Sequence, residues 1–304
     1  MNAIALAAVS LAAFLAAYFT YARFLQVRIF KLLPDETVPS RRFQDGIDFV
    51  PTRPAILFSH HFVSIAGLGP ILGPAIGVIW GWLPAMLWVV FGTIFFGAVH
   101  DFGALVISLR SEGRPIGEIV RDTVGYRAGT LFMLIICFLL ALAMGVFAYL
   151  VAVLFTSFYP ESVLPVGCLM PIAVLTGYLI YRLRVPVTAA TVLGLILMFG
   201  AIRIGLDYPV PLYRYFLDPE VGAAVSALTA APLPGAAAEA LREAGNAAGA
   251  QQVLAAADRA RDCWIWILLA YAFLASVLPV WVLLQPRDYL NSFQLYAGML
   301  LLVA

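Results

Sequence analysis

Long apolar runs separated by short polar clusters set the pattern of this chain. A run of at least about 17 apolar residues is long enough to cross a bilayer as a helix. Such runs cover residues 3–22, 55–79, 82–109, 130–155, 166–181, 187–202 and 264–284, and an eighth begins near Leu290 and continues to Ala304. The first run has no basic segment ahead of it and is followed by positive charge instead of a cleavage site, so it reads as a retained transmembrane helix and not as a signal peptide. The pattern predicts an all-α, polytopic membrane protein. The last run stops with no cap and no flanking charge, which predicts a sequence truncated from a longer protein.

The polar clusters orient the runs. Arg23, Arg28, Lys31, Arg41, Arg42 and Arg53 crowd the loop 23–54, and Arg110, Arg114, Arg121 and Arg127 crowd the loop two crossings later. Loops rich in Arg and Lys stay in the cytoplasm, which puts both of these inside and the N-terminus outside. The loop 157–165 carries Glu161 and no basic residue and falls outside, whereas Arg182, Arg184 and Arg287 return inside. The long loop 204–262 then lies on the outer side. Tyr208, Tyr213 and Tyr215 open it, at the level of the interfacial aromatic belt, and the alanine-rich stretch 235–262 reads as an exposed amphipathic helix. Within 110–129, Ile116, Ile119 and Val120 mark one face of a short interfacial helix. Its charged side, with Arg114, Glu118, Arg121 and Asp122, is either a solvated face beside lipid headgroups or an inner gate latch.

The second run contains the most informative segment, Ser59-His60-His61-Phe62-Val63-Ser64 leading into Gly67-Leu68-Gly69-Pro70-Ile71-Leu72-Gly73-Pro74. Each glycine or proline loosens the hydrogen-bond ladder, and irregular backbone at membrane depth is tolerated where it is buried in protein or lines a cavity. Broken helices of this kind point to a transporter's binding site. Ser59, Ser64, Gly67, Gly69, Pro70, Gly73 and Pro74 are therefore candidate substrate-binding residues. His60 and His61 point about 100° apart on a helix, so one can bond a neighbouring helix while the other meets water or ligand. Either could relay protons; the plain alternative is that backbone carbonyls satisfy both.

Ionisable groups within spans are costly and mark function by default. His100 and Asp101 sit in the run 82–109, which is longer than the ~30 Å hydrocarbon core requires. They lie on different helix faces, and Asp101 needs a partner or a raised pKa, which suits proton coupling. Near the end of the chain, Pro279 breaks the run 264–284 internally and Gln285-Pro286 ends it, followed by Arg287 and Asp288. Two proline-interrupted helices, five spans apart and opposite in direction, are what an inverted repeat gives. Pro279 and Gln285 join the binding candidates, and Arg287 and Asp288 are candidate gate residues.

Composition narrows the classes. Of 304 residues, 63% are hydrophobic and 12% charged, with 18 Lys+Arg against 17 Asp+Glu, so nothing suggests a nucleic-acid surface. Cys137, Cys168 and Cys263 fall in apolar segments without CxxC spacing and read as small core residues. No HExxH, GxSxG or Walker loop is present, which argues against zinc chemistry, an intramembrane hydrolase or any other enzyme, and no metal or cofactor is implied.

Several motifs in order carry a family resemblance over nearly the whole chain. They are Asp48-Phe49-Val50-Pro51-Thr52, His60-His61-Phe62, Gly67-x-Gly69-Pro70-x-x-Gly73-Pro74, Gly97-Ala98-Val99-x-Asp101-Phe102, Ser111-x-Gly113-x-x-x-Gly117-Glu118 and Pro286-Arg287-Asp288-Tyr289. Together they resemble the carbon starvation protein A (CstA) family, many of whose members have Gln where this chain has His100. The resemblance implies a bacterial inner-membrane importer tied to carbon starvation that takes up peptides or pyruvate. It also implies kinship with the amino acid–polyamine–cation transporters and their LeuT-like, five-plus-five inverted repeat.

On that reading, residues 1–22 are an extra helix, 23–54 a cytoplasmic basic loop, 55–203 the first five-helix repeat, 204–262 the outer loop and 263–304 the start of an incomplete second repeat. The expected partners are a small anionic substrate, protons and the lipid bilayer. His60, His61, His100 and Asp101 are the candidates for proton coupling. The rival reading is a starvation-linked membrane receptor or scaffold, which would tolerate straightened helices where a transporter would not.

Overall fold

In lipid every backbone N–H must find an acceptor within its own segment, so long apolar sequence folds as helix. A computed structural model describes residues 3–32, 37–230, 232–279 and 282–303, and the described residues include no strand. Among the described residues seven helices are long and apolar enough to cross a membrane: Ile4–Ile29, Pro54–Trp80, Trp82–Arg110, Tyr126–Phe158, Pro160–Ile180, Val187–Asp207 and Ala247–Val277. They answer to the first seven apolar runs, with two shifts at the ends of the chain. At the first, α1 (Ala3–Ala17) passes into π-helical turns at Tyr18–Ala22 and Leu25–Ile29, so Arg23 and Arg28 ride on the helix instead of standing in the loop. No Gly or Pro intervenes to stop it, and long arginine stems can lie along apolar surface while their heads reach water. The other shift is in α13, below.

The chain forms two compact units, Met1–Leu139 with Leu295–Ala304, and Leu140–Gln294. In the first, α1 is followed by α2 (Pro39–Arg42), α3 (Pro54–Ile65), α4 (Leu68–Gly77) and α5 (Trp82–Leu87). Gly81, at φ +118°, makes the turn between Trp80 and Trp82. A π-helical stretch, Trp88–Gly97, joins α5 to α6 (Ala98–Arg110). The short helix expected after it is α7 (Ile116–Val124), folded back on the start of α8 (Tyr126–Val153) through Gly125 at φ +111°. The two helices nearly touch: a Cβ on Gly117 would overlap Met133 Sδ, and one on Gly129 would stand 2.7 Å from Arg121 Cα. On the polar side of α7, Arg114 pairs with Asp122 at 2.7 Å. Ahead of α3, the Asp45 carboxylate accepts the backbone N–H groups of Ile47, Asp48 and Phe49 at 2.8, 2.9 and 2.8 Å.

In the second unit α8 ends in π-helical turns, Leu154–Phe158, and a 3-10 turn leads to the hairpin of α9 (Val163–Tyr181) and α10 (Val187–Asp207). Next come a 3-10 turn at Leu212–Phe216, α11 (Pro219–Leu228), α12 (Pro234–Glu243) and α13 (Ala247–Val277). The expected exposed helix over 235–262 is instead two helices, α12 and the first half of α13, packed with α11 around a core of Tyr213, Val225, Ala237, Ala238, Leu241, Ala250, Val253, Ala256 and Ala260. Alanine allows this because its small side chain lets helix backbones approach closely. Tyr213, expected at the aromatic belt, is fully buried in this core, while Tyr208 and Tyr215 are exposed. Asn246 caps α13 by accepting the Gly249 N–H at 2.8 Å, and the helix runs on from the capped end into the apolar span without a break. It ends at Val277, ahead of the predicted end at 284, and α14 (Leu284–Val303) follows. Glycines seat the start of α14: Cβ atoms on Gly177 and Gly194 would stand 2.9 Å from Pro286 Cγ and Leu290 Cδ2.

Candidate functional site

The Gly-Pro segment breaks its span as the sequence predicts. The chain leaves the helix at Ala66 (φ −79°, ψ +39°) and Gly67 (φ −77°, ψ −163°), then restarts as α4 at Leu68. Pro70 lies in the first turn of α4, where its missing N–H would have no intrahelical partner. Pro74 is inside the helix and offers no N–H to the Pro70 carbonyl. Among the described residues no side chain caps the new N-terminus at Gly67, and the first amides of a helix have no intrahelical acceptor.

Gly69, Pro70, Gly73 and Pro74 come together on one wall of an open groove of ≈ 570 Å³. The opposite wall is the π-helical stretch, with Trp88, Gly92, Thr93 and Phe96. A Cβ on Gly92 would stand 3.2 Å from the Trp88 ring, closer than ordinary van der Waals contact. A Cβ on Gly69 or Gly73 would meet nothing within 4 Å, so these glycines hold space open instead of accommodating a neighbour. Sequence reasoning missed Trp88, Thr93 and Phe96. The available signal was Gly92 and Gly97, two residues of low helix propensity inside an otherwise apolar run.

The remaining candidates lie off this groove. Ser59 is buried on α3, and the Ser64 hydroxyl donates to the His60 carbonyl at 2.8 Å. His60 is half-buried and His61 exposed, in keeping with their divergent directions. His100 and Asp101, expected on different faces, approach each other: Nδ1 lies 3.1 Å from Oδ1. Both side chains are exposed on the surface of α6 and bend along it to meet.

The second break differs from its prediction. Pro279 lies in the connector between α13 and α14, where its carbonyl accepts the Val282 N–H at 3.0 Å, and not within a helix. Gln285-Pro286 does not end a span but opens α14, since the first turn of a helix has no partner for the N–H that proline lacks. Arg287 joins the two sides of the connector. Its Nη1 donates to the Tyr271 hydroxyl of α13 at 2.9 Å and its Nε to Asp288 at 2.9 Å. Asp288 is buried, with 3% of its surface exposed. One residue on, the Thr191 hydroxyl of α10 bonds the Tyr289 hydroxyl at 3.1 Å.

The chain is similar to known proteins along its length. The family described as carbon starvation protein CstA matches residues 2–304. The chain is 32% identical over 305 residues to the peptide transporter CstA of Campylobacter jejuni, covering 100% of this chain and 38% of that protein. It is 31% identical over 294 residues to the peptide transporter CstA of Escherichia coli, covering 96% of this chain and 36% of that one. The pyruvate/proton symporter BtsT of Escherichia coli is 30% identical over 295 residues, again 96% and 36%. The chain thus spans well under half the length of these relatives. No solved structure matches. With its family motifs at the two helix breaks and the match extending over residues 2–304, the chain belongs to the carbon starvation protein CstA family.

Proposed function

We propose that this chain forms the first part of a secondary active importer in the bacterial inner membrane, not an enzyme, and that it serves uptake of peptides or pyruvate during carbon starvation. The observation that carries this reading is the helix break at Ala66–Gly67, which presents a wall of Gly69, Pro70, Gly73 and Pro74 to an open groove inside an otherwise apolar span. Pyruvate and a peptide C-terminus share a carboxylate. The open amides and the positive dipole end of α4 favour negative charge, and Thr93 and the Trp88 indole add polar groups on the facing wall. The relatives' names, peptide transporter and pyruvate/proton symporter, support both substrates and proton coupling.

In this reading Gly67, Ser59 and Ser64 frame the break, and Pro279 and Gln285 frame its counterpart in an inverted repeat of the amino acid–polyamine–cation kind. Arg287 and Asp288 serve as a gate, and His60, His61, His100 and Asp101 carry protons. The N-terminus lies outside, as the basic loops require. The test is uptake of radiolabelled pyruvate and of a dipeptide into proteoliposomes holding the protein made from its complete gene, with and without an inward proton gradient. Accumulation of either substrate that depends on the gradient is expected. Absence of both, in protein that retains its helical spectrum, would favour the receptor reading.

A further inference from the structure

Two cavities in the first unit meet end to end. The first, of ≈ 470 Å³, is an apolar groove between the spans Ile4–Ile29 and Trp82–Arg110, walled by Phe14, Tyr21, Leu25, Ile94 and Phe102. From Phe14 to Gln26 it follows about 18 Å of helix, a little more than one leaflet of the ~30 Å hydrocarbon core. The second, of ≈ 520 Å³, is lined by Arg42, Arg110 and Glu112, and Leu32 belongs to both linings. The helices are fixed against each other beside these cavities. Phe30 meets Phe102 at 5.0 Å and Tyr21 meets Phe95 at 5.2 Å between ring centroids. Arg110 Nη2 donates to the Phe30 carbonyl and, at 3.3 Å, to that of Lys31.

Position and charge together identify an occupant. The candidate spans Ile4–Ile29 and Trp82–Arg110 both end at the second cavity, so it stands at headgroup level while the groove lies among acyl chains. Arg42 meets Glu112 at 3.9 Å, with both side chains more than half exposed. Such a pair is weak, and a phosphate can displace Glu112 from it. Among the described residues Arg110 bonds the two carbonyls through Nη2, and a guanidinium has five N–H donors.

We propose that groove and cavity are one binding site for an anionic phospholipid, with an acyl chain along α1 and its phosphate between Arg42 and Arg110. Basic pockets at the cytoplasmic ends of membrane helices suit such headgroups, and the orientation from the basic loops puts this end inside. The groove shares Thr93 with the one at Gly69–Pro74, but its occupant does not depend on what that groove binds.

Native mass spectrometry of the detergent-purified chain tests this. The probes are dioleoyl-phosphatidylglycerol, dioleoyl-phosphatidylcholine and inorganic phosphate. One phosphatidylglycerol per chain is expected, favoured over phosphatidylcholine by about fivefold for each arginine. Arg42→Gln, which leaves the Arg110 contacts in place, should lose about one such factor with an unchanged far-UV spectrum. Glu112→Gln should strengthen retention, and Ala17→Trp, which fills the groove, should lower retention of both lipids. Equal retention of the two lipids would overturn the proposal, as would indifference to Arg42→Gln and Ala17→Trp. Displacement of the lipid by inorganic phosphate would show an anion pocket, and its loss on dimerisation would show a second copy in the groove. Either of these results also overturns it.

Discussion

Arg287 and Tyr271 are joined by a 2.9 Å hydrogen bond that spans the interruption between α13 and α14. The Arg287 side chain is 25% exposed, and the same guanidinium holds the buried carboxylate of Asp288 at 2.8 Å. A helix break would otherwise be a free joint; here one cation links its two ends.

Removing the Tyr271 hydroxyl should therefore loosen the joint. Tyr271→Phe is expected to lower stability by about 1 kcal/mol, in the range for a hydrogen bond to a charged group tempered by the membrane setting. Thermal unfolding in detergent measures it. A double-mutant cycle with Arg287→Gln should give a coupling of similar size, and Arg287→Lys should not restore it, because an ammonium cannot make the forked contacts. Additive effects would show that the bond contributes nothing.

Glycines that admit close neighbours should be intolerant, and those facing open space should not. A Cβ on Gly205 would stand 2.6 Å from the Glu161 carbonyl oxygen and 2.6 Å from Pro165 Cδ. Gly205→Ala should cost about 2 kcal/mol through overpacking. On the same helix, a Cβ on Gly200 would meet nothing within 4 Å, and Gly200→Ala should gain up to about 1 kcal/mol from helix propensity. Unfolding midpoints of the two variants should move in opposite directions.

The loop ahead of α3 should respond to acid through one residue. Hydrogen bonds from Phe49, then Ile47 and Asp48, hold the Asp45 carboxyl below its ordinary value. The folded loop thus favours the charged form. Its contribution is whole above the usual carboxylate pKa, about 3.9, and is lost as pH falls through the lower folded value. Hydrogen exchange of residues 45–49, corrected for intrinsic rate, should show protection that is level at neutral pH and falls in acid. Asp45→Asn should show no such step.

The helical cap formed by α11, α12 and the first half of α13 should behave as a packed core. Leu241 is 1% exposed among alanines and Val253. Leu241→Ala is expected to cost about 2–5 kcal/mol and to open the cap to proteolysis, which limited trypsin digestion at its arginines would detect.

Much of the membrane architecture was legible because lipid imposes length and apolarity on each span, and the break at Gly67 was legible because Gly-x-Gly-Pro disables the ladder locally. The cap was not. Alanine carries little hydrophobic signal, so residues 235–262 looked exposed although Ala237, Ala250 and Ala260 are fully buried. Gln285-Pro286 suggests a stop because proline disrupts helix interiors, yet the same residue is well suited to a first turn, and only the fold shows which side of it is helical. The contact between His100 and Asp101 depends on side-chain bending that helix periodicity does not encode. Trp88, Thr93 and Phe96 became site residues only when the π-helical stretch faced α4.

The groove is the centre of the account, and filling it is the most direct test. Gly69→Leu and Gly73→Leu should fold, since neither position has a neighbour within 4 Å of a new Cβ. In cells expressing the complete gene, uptake of pyruvate or dipeptide is predicted to fall about tenfold, the effect of ~1.4 kcal/mol lost from binding, while Gly200→Leu leaves it unchanged. Normal uptake by both groove variants would contradict the account.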